Sequence, residues 1–245
     1  MPIDKAHVRE EALSWARTLV SAFLAYCAFT TVAFANYSIP SESMVPTLEV
    51  GDRLVVTKFA YGYSRFSLPF DLGRFLPAGQ HRLFEQMPKR GDVVVFVHPI
   101  DGRTIIKRLV GLPGDVIQVR DGRLSINGQV LPSTSPTFMT RTRAEGGIEP
   151  AYEREETLPG PLQHVVHDYP GGGPLSNYGP YTVPAGHVFM MGDNRDNSLD
   201  SRSDEMGPVP VENLIGRADV LYFAPRGCKT DDAHCRPRWF KPLHD

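Results

Sequence analysis

The hydrophobic pattern divides the chain into two unequal parts. Thr18 to Ala35 reads TLVSAFLAYCAFTTVAFA, 18 residues without a charge. As a helix this run would be roughly 27 Å long, close to the thickness of a bilayer core. We therefore predict a short cytoplasmic N-terminus at 1–13, a transmembrane anchor at 14–36 and an extracytoplasmic domain at 37–245.

The charges before the apolar run set the predicted orientation. Lys5, Arg9 and Arg17 precede it, and positive residues favour the cytoplasmic side, although nearby acidic residues dilute the cluster. A cleavable signal peptide is the alternative, because Ala33-Phe34-Ala35 has the small-x-small form of a cleavage site. The uncharged run is longer than the apolar region of most signal peptides, which favours an uncleaved anchor.

Beyond Asn36, short runs rich in Val and Ile alternate with turn-forming residues, a pattern typical of β-strands. Asp121-Gly122 and Asn127-Gly128 are typical hairpin turn pairs. No amphipathic helix of convincing length follows the anchor, so the predicted fold class is mainly β: an antiparallel β-rich domain behind one N-terminal transmembrane helix. The predicted strands are 53–59, 92–98, 104–110, 116–120, 123–126, 187–191 and 217–223.

Two stretches do not fit a simple sheet. Residues 131–186 are rich in Pro, Gly and Ser, and only His164 to His167 reads as a strand. We predict a long insertion there, forming a small, partly ordered subdomain. Residues 59–84 hold seven Phe and Tyr residues close after the anchor, which indicates contact with the bilayer interface. Ordinary core or the lining of a groove is the alternative.

Composition and charge narrow the classes of function. The net charge of −2 and the pI near 6.4 give no reason to expect a nucleic-acid partner. Cysteines and histidines show no zinc spacing, so we predict no metal and no other cofactor. Cys228 and Cys235 bracket a polar loop and could form a disulfide in an oxidising compartment, with two unpaired thiols as the alternative.

The stretch IPSESMVPTL, residues 39–48, follows the apolar run closely and holds Ser41 and Ser43. Serine is a weak nucleophile unless a neighbouring group takes its proton. The eight histidines follow no recognisable pattern, and the chain has neither a G-x-S-x-G elbow nor a lysine three residues after either serine. The two serines alone therefore do not establish a catalytic site.

A lysine within an apolar run is the second candidate. If Thr104 to Val110 is a strand, Ile105, Lys107 and Leu109 share one face. Apolar neighbours disfavour the ammonium and lower its pKa, which a lysine base requires. Arg108 cannot act as a base, because guanidinium stays protonated. An edge-strand lysine that prevents aggregation is the alternative.

The third candidate is GDNRDNSLDSR, residues 192–202. Its Asp and Asn content is typical of a calcium loop, but Arg195 occupies the third ligand position counted from Asp193 and no glutamate stands at the twelfth, so calcium is not expected. Turn residues at this density can form a rigid loop through side-chain-to-backbone hydrogen bonds. Such a loop could present the hydroxyl of Ser198 and an ion pair between Asp200 and Arg202.

The motifs SESMVPTL, GDRLVV, KRGDVVVF, IIKRLVGLPGD and GDNRDNSLDSR follow one another between about residues 37 and 223. In this order, behind an apolar anchor, the chain resembles bacterial type I signal peptidase, also known as leader peptidase. The resemblance implies a catalytic domain at 37–245 that works with a serine and a lysine. On this likeness Ser43 is the nucleophile and Lys107 is the general base.

The same resemblance assigns supporting roles. It implies that the hydroxyl of Ser41 and the backbone N–H of Ser43 form the oxyanion hole. Ser198 matches a hydroxyl that orients the lysine amine, and Asp200 and Arg202 match a supporting ion pair. The positions that match the substrate pockets are Ile39, Pro40, Met44, Leu48 and Ile106.

The resemblance also implies the reaction and its place. We expect a membrane-bound serine endopeptidase that removes signal peptides from exported preproteins through an acyl-enzyme, cutting after small residues at positions −1 and −3. The expected partners are preprotein signal peptides, bound by β-strand addition, and the bilayer surface. The expected location is the bacterial inner membrane, single-pass, with the catalytic domain on the periplasmic side.

The chain departs from the family pattern in two ways. Ile105 stands where many relatives have an aromatic residue, which leaves the shape of the nearby pocket open. Better-known Gram-negative relatives have two membrane segments, whereas one is visible here.

A peptidase of the same clan dedicated to one substrate, such as a conjugative pilin, is an alternative function. A membrane-anchored β-domain that binds signal peptides or pilins without cutting them is another.

Overall fold

The computed structural model describes residues 5–68, 72–73, 75–77, 82–160, 162–225 and 239–243. Cys228 and Cys235 lie outside these residues, so the disulfide remains a prediction. In chain order the strands are β1 (Phe34–Ser38), β2 (Arg53–Thr57), β3 (Val93–Val97), β4 (Thr104–Gly111), β5 (Val116–Arg120), β6 (Arg123–Ile126), β7 (Gln129–Val130), β8 (Thr137–Thr142), β9 (Ile148–Leu158), β10 (Leu162–Asp168), β11 (Tyr178–Thr182), β12 (His187–Met191), β13 (Val209–Pro210), β14 (Leu214–Phe223) and β15 (Lys241–Pro242).

The N-terminal apolar run forms helix α1, Lys5–Val32. Within it, Val8–Thr30 is long and apolar enough to cross a membrane, and none of this segment is buried inside the protein. Strand β1 begins at Phe34, so the last three residues of the predicted anchor range 14–36 are strand. The extent of the anchor remains a prediction. Only Ala33 separates the helix from the sheet.

The main sheet is antiparallel and has the strand order β1-β2-β14-β3-β4-β12-β13, with β15 added beside β14. Strand β3 lies near its centre and all five of its residues are buried. Its side chains alternate between two cores: Val93 and Val95 pack on one side, Val94 and Phe96 on the other. This alternation follows from the period of two along a strand. The sheet therefore has two apolar faces, and the segment with the two serines packs on the first.

The two predicted hairpin turns are present. Asp121 and Gly122 have φ values of 48° and 75°, and Asn127 and Gly128 have 55° and 80°. Positive φ at both central residues is the geometry of the tight turns that match strand twist. These turns connect β5, β6 and β7. Together with β11, these strands form a four-stranded sheet in the order β11-β5-β6-β7.

Residues 131–186 contain more regular structure than their composition predicts. The prediction of a single strand there was wrong: β8, β9 and β10 form a three-stranded antiparallel sheet in the order β10-β9-β8, and β11 joins the four-stranded sheet. The strands escaped detection because several of their buried positions hold charged or polar side chains. Arg154, Glu156 and His164 are 5%, 1% and 7% exposed, whereas the alternating pattern expects apolar residues at buried sites.

The aromatic side chains of the stretch 59–84 are partly buried in the core and partly exposed on the surface. Tyr61 is fully buried in the second core. Phe59, Phe75 and Phe84 are exposed by 50%, 86% and 82%. Part of the stretch is therefore core, and the exposed part leaves the bilayer interpretation as a prediction.

Candidate active site

The loop between β1 and β2 carries Ser41 and Ser43. Met44 and Leu48 are fully buried in the first core, and the backbone N–H of Leu48 donates to the carbonyl of Met44 at 2.9 Å. At the ends of the loop, the N–H of Ile39 donates to the carbonyl of Asp52 at 2.9 Å. The apolar residues of the motif thus bind the loop to the core and hold Ser43 at the edge of that core, 7% exposed.

Lys107 meets Ser43 from strand β4. It lies opposite Val94 of β3 and is 5% exposed. Its Nζ atom lies 2.5 Å from Oγ of Ser43. Burial lowers the pKa of Lys107 from 10.5 to about 8, against the opposing effect of nearby carboxylates, of which Asp200 is the strongest. The amine is therefore far easier to deprotonate than a lysine in water.

A glycine permits the close packing of loop 192–202 against the serine. A Cβ atom at Gly192 would lie 2.3 Å from Oγ of Ser198 and 2.5 Å from the carbonyl oxygen of Ser43. Both distances are shorter than any ordinary carbon–oxygen contact. On the same side, the backbone N–H of Asn194 donates to the carbonyl of Ser43 at 3.1 Å. Any larger residue at position 192 would therefore displace the serine loop.

Asp200 and Arg202 form an ion pair behind Lys107. Nη2 of Arg202 lies 2.8 Å from Oδ2 of Asp200, and both side chains are buried. The N–H of Gly192 donates to the same carboxylate at 3.0 Å. Burial alone would raise the pKa of Asp200, but Arg202 and these hydrogen bonds outweigh burial and lower it. The carboxylate stays ionised next to the lysine.

Ser198 lines the same cleft as Lys107 and packs against Gly192. Its Oγ atom is buried and has no hydrogen-bond partner in the part of the chain that the structure describes. Orientation of the lysine amine by Ser198 therefore remains a prediction.

Arg108 and Asp193 are site residues that the sequence reasoning did not assign. Nε and Nη2 of Arg108 donate to the two carboxylate oxygens of Asp193 at 2.8 and 2.7 Å. Thr47 of the serine loop donates to Asp193 at 2.5 Å. The pair thus connects the lysine strand, loop 192–202 and the serine loop. Arg108 follows the lysine directly in a strand that is otherwise mainly apolar. This position is the sequence feature that could have indicated a buried ion pair.

A cleft of about 440 Å³ opens at the two reacting groups. Oγ of Ser41 lies in it, 3.4 Å from Oγ of Ser43. Ile105 lines the cleft on the same strand face as Lys107, as the alternation of β4 predicts. Other lining residues are Glu42, His98, Asp101, Arg103, Pro174, Leu175, Asp196, Asn197, Ser198, Leu199 and Glu205.

The residues predicted for the substrate pockets lie apart from the lining of this cleft. Ile39, Met44, Leu48 and Ile106 pack together in the first core and are at most 8% exposed, while Pro40 is exposed. Ile39, Met44 and Leu48 are the residues through which the serine loop packs into this core. Contact of all five residues with a peptide remains a prediction.

The fold and this site have the parts of a membrane-anchored serine peptidase: an N-terminal apolar helix, an antiparallel β domain and a serine beside a buried amine. The chain matches the family "signal peptidase, peptidase S26" over residues 12–223 and belongs to that family. It is a serine endopeptidase, a hydrolase, and the mainly β fold class predicted from the sequence is confirmed. Membership in a peptidase family argues against a binding protein that does not cut.

Curated relatives agree with the family. The chain is 38% identical over 198 residues to signal peptidase I of Rickettsia typhi, covering 78% of this chain and 72% of that protein. It is 39% identical over 203 residues to signal peptidase I of Pseudomonas fluorescens, covering 77% of this chain and 64% of that protein. Among solved structures, a signal peptidase I from Enterococcus faecalis matches 54% of this chain and 97% of its own, with 28% identity and a TM-score of 0.33.

Proposed function

We propose that this protein removes signal peptides from exported preproteins, with Ser43 as nucleophile and Lys107 as general base. The observation that carries the assignment is the 2.5 Å separation of Nζ of Lys107 and Oγ of Ser43. The pKa of about 8 supports it, because roughly a tenth of the amine is then neutral at pH 7. The substrate class is that of the relatives named signal peptidase I.

The reaction follows from the two groups. The neutral amine of Lys107 accepts the hydroxyl proton as Oγ of Ser43 attacks the carbonyl carbon of the scissile bond. The resulting ammonium donates its proton to the leaving nitrogen, the C–N bond breaks, and an ester remains on Ser43. A water then gives a proton to Lys107 and attacks the ester. Lys107 returns this proton to Oγ of Ser43 as the ester bond breaks, which releases the signal peptide and restores the serine.

The oxyanion of each tetrahedral intermediate needs hydrogen-bond donors. We assign these to the hydroxyl of Ser41 and the backbone N–H of Ser43. The support is position: Oγ of Ser41 shares the cleft and lies 3.4 Å from Oγ of Ser43. Loss of one such donor typically raises a barrier by about 2.7–4 kcal/mol. Ser198 and the pair Asp200–Arg202 are assigned to orienting Lys107.

Peptide binding is proposed to occur by strand addition to β4. Residues 104–108 of β4 pair with β3 on one edge, whereas in the described part of the chain β12 pairs only from Arg108 onwards on the other. The edge beside Lys107 can therefore accept an extended peptide. On the family resemblance, we assign the pockets for small side chains at −1 and −3 to Ile39, Pro40, Met44, Leu48 and Ile106.

The bilayer is the second proposed partner. We assign α1 to a single-pass anchor in the bacterial inner membrane, with the domain after it on the periplasmic side. The ring centroid of Phe34 lies 6.3 Å from that of Phe29 in α1 and 5.8 Å from that of Phe59. Exposed aromatic side chains therefore continue from the helix onto the domain. Aromatic residues favour the membrane interface. This arrangement keeps Ser43 near substrates that are themselves membrane-bound.

The test is cleavage of three unrelated preproteins by the full-length protein in vesicles, with product termini read by mass spectrometry. We expect all three to be cut after small residues at −1 and −3, and none to be cut by Ser43→Ala. Cleavage of a single substrate, such as a pilin, would favour the dedicated peptidase. Cleavage by Ser43→Ala at the wild-type rate would refute the assigned nucleophile.

A further inference from the structure

The β8–β9 hairpin belongs to the region for which the sequence showed no motif, and it reaches the serine loop. Arg141 in β8 and Glu149 in β9 are cross-strand partners. The turn between the strands is closed by hydrogen bonds from the N–H of Arg143 to the carbonyl of Gly147 and from the N–H of Gly146 to the carbonyl of Arg143, both 3.0 Å. Its tip contacts Glu42, the residue between Ser41 and Ser43.

Glu42 is held by several donors of this hairpin. Nη2 of Arg141 donates to Oε2 of Glu42 at 2.7 Å, and the backbone N–H of Ala144 donates to Oε1. Nε of Arg143 lies 3.8 Å from Oε2. Arg141 also donates to Glu149. The side chains of Glu42 and Arg141 are only 11% and 8% exposed, a setting in which charge-assisted hydrogen bonds are stronger and more directional than on an open surface.

The opposite side of the same loop is held by Asn194. Its Nδ2 donates to the carbonyl of Glu42 at 3.1 Å, and its backbone N–H donates to the carbonyl of Ser43 at 3.1 Å. The backbone around the serine is therefore fixed by loop 192–202 on one side. On the other side, the side chain of Glu42 is fixed by the hairpin.

We propose that Glu42 is a positioning residue, and that the β8–β9 hairpin, through Arg141 and the N–H of Ala144, fixes the orientation of Ser41 and Ser43. The inference rests on the proposed function, because it takes Ser43 as the nucleophile. With Glu42 held, the two flanking serines have little freedom to rotate or slide relative to Lys107. We call this contact of Glu42 with Arg141 and Ala144 the clamp. A misplacement of about 1 Å between reacting groups can reduce a rate by roughly 100-fold, so the clamp acts on turnover more than on peptide binding.

The balance of charge supports this role. Glu42 and Glu149 contribute two carboxylates, and Arg141 and Arg143 contribute two guanidinium groups within 4 Å of them. The cluster is neutral as a whole, so it adds no net charge next to the amine of Lys107. Removing Glu42 and Arg141 together keeps the cluster neutral, so the double variant should change the position of the serines without moving the pH dependence that Lys107 sets.

The experiment measures steady-state cleavage of a preprotein peptide by the full-length protein in detergent. The variants are Glu42→Ala, Arg141→Ala and the double variant, with Glu145→Ala as matched control, because Glu145 lies in the same turn, carries the same charge as Glu42, is exposed and takes no part in the contacts above. We expect kcat to fall about 10- to 100-fold in each single variant with KM changed less than about 3-fold. The double variant should be no slower than the worse single variant. Glu145→Ala should stay within about 2-fold of wild type.

Ser43→Ala, measured in parallel, separates the two proposals. If Ser43→Ala retains activity, the proposed function fails. If it is inactive while folded Glu42→Ala and Arg141→Ala keep the wild-type kcat, only the clamp is overturned. A lower thermal midpoint with unchanged kcat in the folded protein would assign the clamp to stability and would equally overturn its positioning role.

Conservative variants complete the test if the alanine variants do not fold. Glu42→Gln keeps an acceptor for the N–H of Ala144, and Arg141→Lys keeps the charge but loses the two-pronged contact with Glu42 and Glu149. We expect intermediate kcat values in both variants. Because Arg141→Lys keeps the charge, it should leave the acid limb of the pH–rate profile unmoved. Wild-type kcat in both variants, or a shifted acid limb in Arg141→Lys, would contradict the inference.

Discussion

Nζ of Lys107 lies 2.5 Å from Oγ of Ser43, although the two residues are 64 positions apart in the chain. One comes from the loop between β1 and β2 and the other from the middle of β4. Each is held by buried neighbours, the serine loop by Met44 and Leu48 and the lysine by its cross-strand partner Val94 of β3. The pair is therefore a property of the tertiary fold and not of either motif alone.

Removal of either group should abolish processing. We expect Ser43→Ala and Lys107→Ala to reduce kcat/KM on a preprotein peptide by at least about 1,000-fold, because both act in the same proton transfer. Lys107→Arg should be equally inactive, since guanidinium does not give up its proton at neutral pH.

His98 provides the matched control, because it also lines the cleft. Its Nδ1 atom accepts hydrogen bonds from the N–H groups of Ile100 and Asp101 within its own turn. We expect His98→Ala to retain most activity. A large rate loss in His98→Ala, together with an active Lys107→Ala, would identify a different base.

The pH dependence should follow Lys107. Its lowered pKa of about 8 means that the neutral base accumulates as pH rises, so kcat/KM should increase about tenfold per pH unit below 8 and level off above it. The measurement is a pH–rate profile on a peptide without titrating groups near the scissile bond. An acid limb near pH 10, the range of an ordinary lysine, would show that burial does not lower the pKa of this amine.

The same burial should reduce the stability of the protein. Because the folded pKa lies below the unfolded one, the folded state disfavours the ammonium; the penalty is absent above pH 10.5, develops as pH falls towards 8 and is complete below it. A pKa lowered from 10.5 to about 8 corresponds to roughly 3 kcal/mol at pH 7. Lys107→Met should therefore be inactive yet more stable at pH 7, by up to about 3 kcal/mol.

Thermal unfolding at pH 7 and at pH 10 tests this effect. The gain in Lys107→Met should be largest at pH 7 and should shrink at pH 10. A loss of stability at pH 7 would mean that the hydrogen bond to Ser43 and the attraction of Asp200 outweigh the cost of burying the ammonium.

Local pattern predicted the parts of the fold that depend on near neighbours. The Val- and Ile-rich runs became strands, and the Asp-Gly and Asn-Gly pairs became hairpin turns. The strand at 53–59 was predicted two residues too long, because Lys58 begins a short 3₁₀ helix that ends at Tyr61. Such bounds depend on packing that the pattern does not contain.

Buried charges explain most of what the sequence did not reveal. Glu156 in β9 is 1% exposed and pairs with Arg154 and Arg195. Arg195 stands 39 positions away, in loop 192–202. In the sequence each of these residues predicts a solvated surface, and only their spatial pairing makes burial tolerable. The three-stranded sheet and the Glu42–Arg141 contact were missed for this reason.

The boundary between anchor and domain predicts two different truncations. Strand β1 pairs with β2 over five residues, and the N–H of Lys58 donates to the carbonyl of Ala33 at 3.0 Å. A chain that begins at Ala33 keeps these contacts and should fold, cleaving a short peptide within about threefold of the wild-type rate. A chain that begins at Ile39 exposes the edge of β2 and should lose both stability and activity.

Thermal midpoints and peptide kinetics of the two truncated chains test this boundary. On a preprotein in vesicles, the chain from Ala33 should be markedly slower than the full-length protein, because it no longer shares the membrane with its substrate. Equal rates on vesicles would show that α1 does not act as a positioning anchor. Equal stability of both truncations would show that β1 contributes nothing to the domain.

Arg82 predicts a stability effect far from the reacting groups. Its guanidinium donates to the carbonyls of five residues, at 2.7 Å to Leu214 and Gly62, 3.0 Å to Tyr61 and Val211, and 3.2 Å to Glu212. The residue is 7% exposed and connects the segment before β14 to the 3₁₀ helix at Lys58–Tyr61. Arg82→Met would leave these buried carbonyls without donors, at a cost of about 3–5 kcal/mol. For a domain of this size, that loss lowers the thermal midpoint by roughly 10 °C.

Arg103→Met, which removes a side chain that is 74% exposed, is the control and should change stability by less than about 1 kcal/mol. Equal midpoints for Arg82→Met and Arg103→Met would show that water replaces the guanidinium without loss.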